Sequence, residues 1–171
     1  MILRRLTPDD VVAYRSIRLQ ALAEYPAAFL SSAEEESAEQ LEWHAKRLAE
    51  TNETVMLGAF VDQVLIGMVG YGRNTRRKVR HTGFIRAMFV TSEWQGRGIG
   101  TALLKQALAE LRQLDGLRQI YLEVVAGNVA AVELYKRLGF VPYGLQPDAL
   151  CIDGIFQDDT LMHLSLVPTS K

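Results

Sequence analysis

Residues 95–100 read Gln95-Gly96-Arg97-Gly98-Ile99-Gly100. The run lies between an apolar stretch of strand character, Phe84 to Val90, and a strongly periodic helix that begins near Ile99. A glycine-rich turn between strand and helix limits what this chain can fold into more than any other feature. Without Cβ atoms in the way, several backbone N–H groups can converge on one point. The helix that follows adds its own unpaired N–H groups and the positive end of its dipole. Together they make a seat for a phosphate or pyrophosphate. A phosphorylated cofactor is therefore predicted.

Two common phosphate-binding patterns fail on spacing. A G-x-G-x-x-G fingerprint starting at Gly96 needs glycine at 101, which is Thr101, and one starting at Gly98 needs it at 103, which is Leu103. A P-loop starting at Gly96 also needs glycine at 101 and then lysine, where the chain reads Thr101-Ala102. What remains is Gln95-x-x-Gly98-x-Gly100. This resembles the acyl-CoA pyrophosphate loop of the GNAT superfamily of N-acetyltransferases, Q/R-x-x-G-x-G/A. The downstream sequence extends the resemblance. Ile120 to Val125 is β-branched and apolar, a good strand. Asn128 then stands as an N-cap and Gly139 as a C′ residue, delimiting a helix from Val129 to Leu138 with Gly139-Phe140 after it. The resemblance is good from Phe84 to Phe140. It is weaker through Tyr143-Gly144 and Asp153-Gly154 to Asp159-Thr160-Leu161-Met162, and general in plan only over the N-terminal third.

The other elements are read from periodicity and turn residues. Ile2 to Leu6 is a strand, and Thr7-Pro8 starts a helix that runs to about Glu24. Tyr25 to Ser32 is a loop. Ala33 to Glu50 is a second helix, broken near Ser37. Thr54 to Val61 and Val64 to Tyr71 form a hairpin around Asp62-Gln63, and Val79 to Val90 is a longer strand. In the helix Ile99 to Leu114, residues Ile99, Leu103, Ala107, Leu111 and Leu114 share one face with Leu104 and Leu108 beside them. Two last strands lie near 141–143 and 160–167. The order βααβββαβαββ predicts an α+β or α/β fold with a mixed sheet. The resemblance implies the GNAT version, α+β with α/β-like layering. Its sheet is mixed, mostly antiparallel and about seven-stranded, with helices on both faces and a splayed strand pair that holds CoA.

Composition fits a soluble enzyme without pointing to one. At 171 residues the chain is read as one domain, 1–171, large enough for a real core. A net charge of −1 gives no bulk attraction to nucleic acid or an anionic membrane. Cys151 stands alone, which excludes an intrachain disulfide and a cysteine-rich zinc site. His44, His81 and His163 lack metal-ligand spacing, so no metal is expected. No stretch approaches the roughly 20 apolar residues of a membrane span. The opening residues are too few and too polar for a signal peptide. A reducing cytoplasm follows as the expected compartment. GNAT proteins often pair through sheet edges or C-terminal strands, so the resemblance brings a homodimer into consideration.

The chemistry implied is acetyl transfer from acetyl-CoA to a primary amine of a small molecule or protein. The alternative on the same fold is a non-catalytic acyl-CoA-binding module. The resemblance carries cofactor binding onto Gln95, Gly96, Arg97, Gly98, Ile99, Gly100 and Thr101. It carries the pantetheine arm onto the strand end Met88-Phe89-Val90, where backbone pairing is a form of β-augmentation and an N–H near Met88 or Val90 polarises the carbonyl. Leu122 to Val125 is then the splayed partner strand. Asn128 contacts cofactor as well as capping its helix. Tyr135 lies two helical turns beyond Asn128 on the same face, and is the candidate acid for the departing thiolate. Glu123, beside the cofactor gap, is a candidate base acting through water; a cross-strand structural role also explains it. Phe29, Ser31 and Glu35 are candidates for the acceptor pocket, although core anchoring suits Phe29 and a solvated helix N-terminus suits Glu34, Glu35 and Glu36. The cluster Arg73, Arg76, Arg77, Lys78 and Arg80 reads as a solvated turn, and Trp43 and Trp94 as packing residues.

Overall fold

The computed structural model describes residues 1–49 and 54–167. Seven strands form one sheet in the order β1-β2-β3-β4-β5-β7-β6. They are β1 Ile2–Arg5, β2 Thr54–Val61, β3 Val64–Arg73, β4 Thr82–Val90, β5 Gln119–Val125, β6 Val141–Ile152 and β7 Ile155–Ser165. The helices are α1 Val11–Glu24, α2 Ala33–Ala38, α3 Leu41–Leu48, α4 Ile99–Arg112 and α5 Val129–Arg137. Among these strands the β4–β5 pair is parallel and the other neighbours run antiparallel, giving a mixed, mostly antiparallel sheet.

The helices cover both faces. On one, Leu103, Leu104, Ala107, Leu108 and Leu111 of α4 pack with Tyr135 of α5 against Ile85, Ile120 and Leu122. On the other, Tyr14, Ile17, Ala21 and Leu22 of α1 and Leu48 of α3 pack against Met56, Met68 and Phe89. Asp62 and Gln63 both take positive φ, 48° and 66°, the turn geometry that matches the twist of a two-residue hairpin.

The second predicted helix is two helices. Its break falls at Glu39 and Gln40, just past Ser37, and both residues have extended ψ. The expected end of that helix at Glu50 lies outside the described residues. The last two strands are much longer than the sequence indicates, and β6 explains why. It is an edge strand with almost every residue exposed, so no hydrophobic alternation marks it. Pro142 and Pro147 also argue against a strand until its edge position is known.

Candidate active site

β4 and β5 are hydrogen-bonded only at their starts, through Thr82–Gln119, Gly83–Ile120 and Phe84–Tyr121. Beyond Phe84 the two strands part. On its other edge β4 stays paired with β3, with Met68 opposite Phe89 and Gly70 opposite Arg86. Between those pairs Val69 faces both Ala87 and Met88, a β-bulge, and Ala87 adopts φ 52°. The bulge turns two successive residues to one face. Ile85 and Met88 lie on the α4 side, while Ala87 packs on the α1 side and Arg86 opens beside it into a recess. The strand edge facing the gap therefore keeps backbone groups unpaired by β5, at the place where the chain direction changes.

The glycine loop closes the end of this gap. Gly96 and Gly98 have φ 73° and 80°, and a Cβ on either would meet nothing within 4 Å. Gly98 is the N-cap of α4, so the first N–H groups of the helix open toward that free space. The cradle is made of backbone and has the shape and polarity that a pyrophosphate requires. Gly100 has a different reason for being glycine. A Cβ there would lie 2.9 Å from Met88 Cε, so it allows α4 to approach β4. The Gln95 side chain points inward and is already engaged. Its Nε2 donates to Val90 O at 2.9 Å and to Tyr25 Oη at 3.1 Å, tying the loop to the end of β4. Arg97 lies over the Trp94 ring at 4.8 Å. Ile99 is buried in the core, leaving its backbone for the cradle, and Thr101 follows on the first turn. Phe89 and Val90 are buried and Met88 is half-buried, so these three also offer backbone rather than side chain to the gap.

α5 brings two further groups. Asn128 caps it, its Oδ1 accepting from Ala131 N at 3.1 Å, which leaves the amide's donor end over. Tyr135 is 7% exposed and packs edge-to-face on Phe140 at 5.9 Å. Its hydroxyl makes no hydrogen bond to another described residue. Burial pushes its phenol up to about 12, so it stays protonated at neutral pH.

On the α1 face the recess beside the bulge has a volume of about 220 Å³ and is lined by Tyr14, Lys46, Arg47, Ala49, Thr54, Met56, Arg86 and Ala87. A buried ion pair stands behind it. Arg18 and Glu36 are 4% and 2% exposed and meet through two bonds of 2.9 and 2.6 Å, with Arg47 Nη1 3.1 Å from the same carboxylate. Burial alone would raise the Glu36 carboxyl. The Arg18 hydrogen bonds and charge, then Arg47 and the Ser31 hydroxyl, outweigh it and hold the group below its usual value. This corrects the reading of Glu36 as a solvated helix-start residue. Ser31 serves that ion pair, and Phe29 lies 9% exposed under the Arg18 guanidinium, 4.6 Å from its ring centre. Glu35 is exposed and closes a capping box with Ser32, at 2.7 and 3.1 Å. Of the three residues expected to line an acceptor pocket, Phe29 and Ser31 therefore stand behind this recess and Glu35 caps α2.

A family model settles the family. The model of the "Acetyltransferase (GNAT) family" matches residues 16–140, well over half the chain. The chain belongs to the GNAT acetyltransferase family. A Pseudomonas paraeruginosa L-methionine sulfoximine/L-methionine sulfone acetyltransferase is 33% identical over 110 residues, which is 61% of this chain and 60% of that protein's length. A GNAT-family acetyltransferase from Streptococcus pneumoniae superposes with a TM-score of 0.80 at 26% identity, covering 96% of this chain and 99% of the other. A Salmonella typhimurium protein solved with its cofactor acetyl-CoA shares the fold at a TM-score of 0.81 and 23% identity, covering 100% and 96%.

The other side of the gap is formed by β5 and β7. Leu122 and Val124 face the α4 core, so Glu123 points to the opposite face, exposed and beside the gap. Asp159 of β7, paired with Val125, faces the same way. It is 7% exposed, its Oδ1 has no partner, and burial followed by the Glu123 charge raises its carboxyl above the usual value. In the sequence Asp159 stands only as part of the closing Asp159-Thr160-Leu161-Met162 run. Nothing local in the sequence shows that α1, α3 and β4 bring Arg18, Arg47 and Arg86 to one place. Among the described residues no three His, Cys, Asp or Glu side chains could hold a metal ion together.

Proposed function

We propose that this chain is an N-acetyltransferase that moves the acetyl group of acetyl-CoA directly onto a primary amine. One observation carries the reading: the β4–β5 separation past Phe84, ending at a glycine cradle of bare backbone donors. Residues 96–101 would hold the pyrophosphate, with Asn128 as a further contact. The free edge of β4 at 88–90 would pair with the amide-bearing arm.

The amine lone pair attacks the thioester carbon, and the developing oxyanion is met by a backbone N–H of the bulged strand. The carbon–sulfur bond then breaks and its electron pair leaves with sulfur. Tyr135 donates a hydrogen bond to that thiolate. With its own value near 12, it stabilises the sulfur more readily than it gives up the proton outright to a thiol of ordinary value about 8.5. The proton lost by the amine passes through water to Glu123 and finally reaches sulfur, so the products are an amide and free CoA. The unengaged hydroxyl of Tyr135 supports catalysis over mere acyl-CoA binding.

We place all of 1–171 in one catalytic domain in a reducing cytoplasm, supported by the exposed free thiol of Cys151. No helix among the described residues is long and apolar enough to cross a membrane. A homodimer through the β6–β7 hairpin is supported by its exposed Tyr143, Leu145, Ile155 and Phe156, and sedimentation at micromolar concentration tests it.

Acetyl-CoA binding by calorimetry, then thiol release with a panel of amines, tests the reaction. Tyr135→Phe should bind acetyl-CoA normally and lose about 10²-fold or more in kcat with little change in KM. A variant that turns over at the wild-type rate but melts earlier assigns Tyr135 to structure. A wild-type protein with no affinity for acetyl-CoA overturns the function.

A further inference from the structure

The recess beside the bulge carries an uncompensated positive charge. Arg47 and Arg86 line it with Lys46, Arg18 stands behind it, and the one carboxylate among them, Glu36, is already bound by Arg18 and Arg47. Arg86 enters no ion pair among the described residues; its guanidinium lies 4.9 Å over the Phe84 ring. The charges that act on it are those of Arg47 and Arg18, with the Tyr14 hydroxyl opposing them. Lys46 lies at the same recess, exposed.

The opposite wall has the opposite sign. The parallel register sets Phe84 beside Tyr121, and continuing it places Arg86 level with Glu123. Ile85 and Leu122 both turn to the α4 core, so Arg86 and Glu123 share the other face. The strands have parted there, and the two charges make no ion pair. Asp159 adds a second carboxylate on the Glu123 side.

Resting on the acetyltransferase reading above, we propose that the acceptor is an α-amino carboxylate, its carboxylate held by Arg86 with Arg47 and its amino group turned across the splay toward Glu123. Arginine binds a carboxylate through a bidentate fork, which fixes orientation as well as charge. Arg86 directly precedes the bulge residue Ala87, so an anion on Arg86 lies close to the transfer point. That requires amine and anion to be neighbours in the acceptor, as they are on one carbon of an α-amino acid. A polyamine presents several cations to Arg47, Arg86 and Lys46 and is repelled. At about 220 Å³ the recess is smaller than the roughly 300–1,000 Å³ of sites for drug-sized ligands, in keeping with a single amino acid.

The test uses the full chain with the proteinogenic L-amino acids, their carboxamides and spermidine. At least one free amino acid should be acetylated with a kcat/KM tenfold or more above that of its carboxamide and of spermidine. Arg86→Gln should raise the KM of the free acid by roughly 10- to 100-fold, the range for a lost charged hydrogen bond. It should leave kcat and the KM for acetyl-CoA in place and bring the acid-to-amide ratio to about one. Arg86→Lys should restore part of it. Arg86 is exposed and outside any ion pair among the described residues, so these variants should fold. A wild-type preference for carboxamide or spermidine, or a ratio indifferent to Arg86→Gln, overturns the proposal. Calorimetry of the same amino acids against CoA-saturated protein separates the two readings. Carboxylate-dependent binding that vanishes in Arg86→Gln, without acetyl transfer, keeps the pocket and removes the catalysis. Acetyl-CoA binding with no carboxylate dependence removes the pocket alone.

Discussion

The two halves of the cleft are made of different material. The half proposed for the cofactor is backbone: the open edge of β4, the positive-φ glycines 96 and 98, and the first N–H groups of α4, all from one short segment of chain. The half proposed for the acceptor is side chain: Tyr14, Arg47 and Arg86 at the recess, with the Arg18–Glu36 pair behind it. A backbone site recognises what every acyl-CoA shares and has little to vary. A side-chain site can change its charge by single substitutions while the cofactor half stays as it is. The difference also predicts how each half fails. Damage to the acceptor half should cost stability and spare cofactor binding, and damage to the cradle should do the reverse.

The largest effect expected is at Glu36. It neutralises Arg18 at 2–4% exposure, and removing one partner of such a pair typically costs about 3–5 kcal/mol. Glu36→Gln should lose stability on that scale in urea. Replacing both partners, Arg18→Met with Glu36→Leu, should recover most of it, because the penalty belongs to the stranded charge. If enough Glu36→Gln stays folded, its acetyl-CoA affinity should match wild type. A parallel loss of affinity would show that the halves are not separable in this way.

The cradle gives the converse. Acetyl-CoA at 100 times Kd should stabilise the wild type by about 2.7 kcal/mol. Gly98→Val should remove that shift, since Gly98 sits at φ 80° with free space where the ligand would lie. The strain of a left-handed residue should lower the unliganded stability by only about 1–2 kcal/mol. Gly100→Val should behave differently: its side chain meets Met88 Cε, so it harms α4 packing first and binding second. Equal ligand shifts in Gly98→Val and wild type would take the pyrophosphate away from this loop.

The same contrast sets how much could be read from sequence. The cradle was legible because its requirements are local: glycines at given spacings, a strand before and an amphipathic helix after. The Asn128 cap of α5 was legible for the same reason, since capping is a local pattern. The acceptor half was not, since Arg18, Glu36, Arg47 and Arg86 acquire meaning only when α1, α2 and α3 fold onto β4. Glu36 looked like its exposed neighbours Glu34 and Glu35, and only its burial separates them. The bulge at Ala87 was equally silent, for no glycine marks that positive φ. β6 hid for the opposite reason, being a strand with no buried face to impose alternation.

The smallest effect expected concerns pH and again divides the halves. His44 is fully buried, its Nε2 donating to Glu36 O at 3.1 Å and its Nδ1 without a partner. Burial lowers its value first. The Glu36 carbonyl and charge act against that, and the charges of Arg15 and Arg47 add to the lowering. A histidine whose folded value lies below its unfolded value of about 6.5 binds fewer protons folded than unfolded. Its contribution is therefore complete above about pH 6.5 and is lost as the pH falls below it, at no more than about 1.4 kcal/mol per pH unit. The urea midpoint should fall between pH 7.5 and 5.5, and His44→Gln, which keeps a donor and does not titrate, should flatten that slope. Because His44 holds the backbone of Glu36, the loosening should start in the acceptor half. Hydrogen exchange at pH 5.5 should show α3 amides losing protection before those of α4, with acetyl-CoA affinity unchanged. Identical slopes for His44→Gln and wild type would remove His44 as the titrating group, and simultaneous loss in α3 and α4 would mean that the two halves open as one unit.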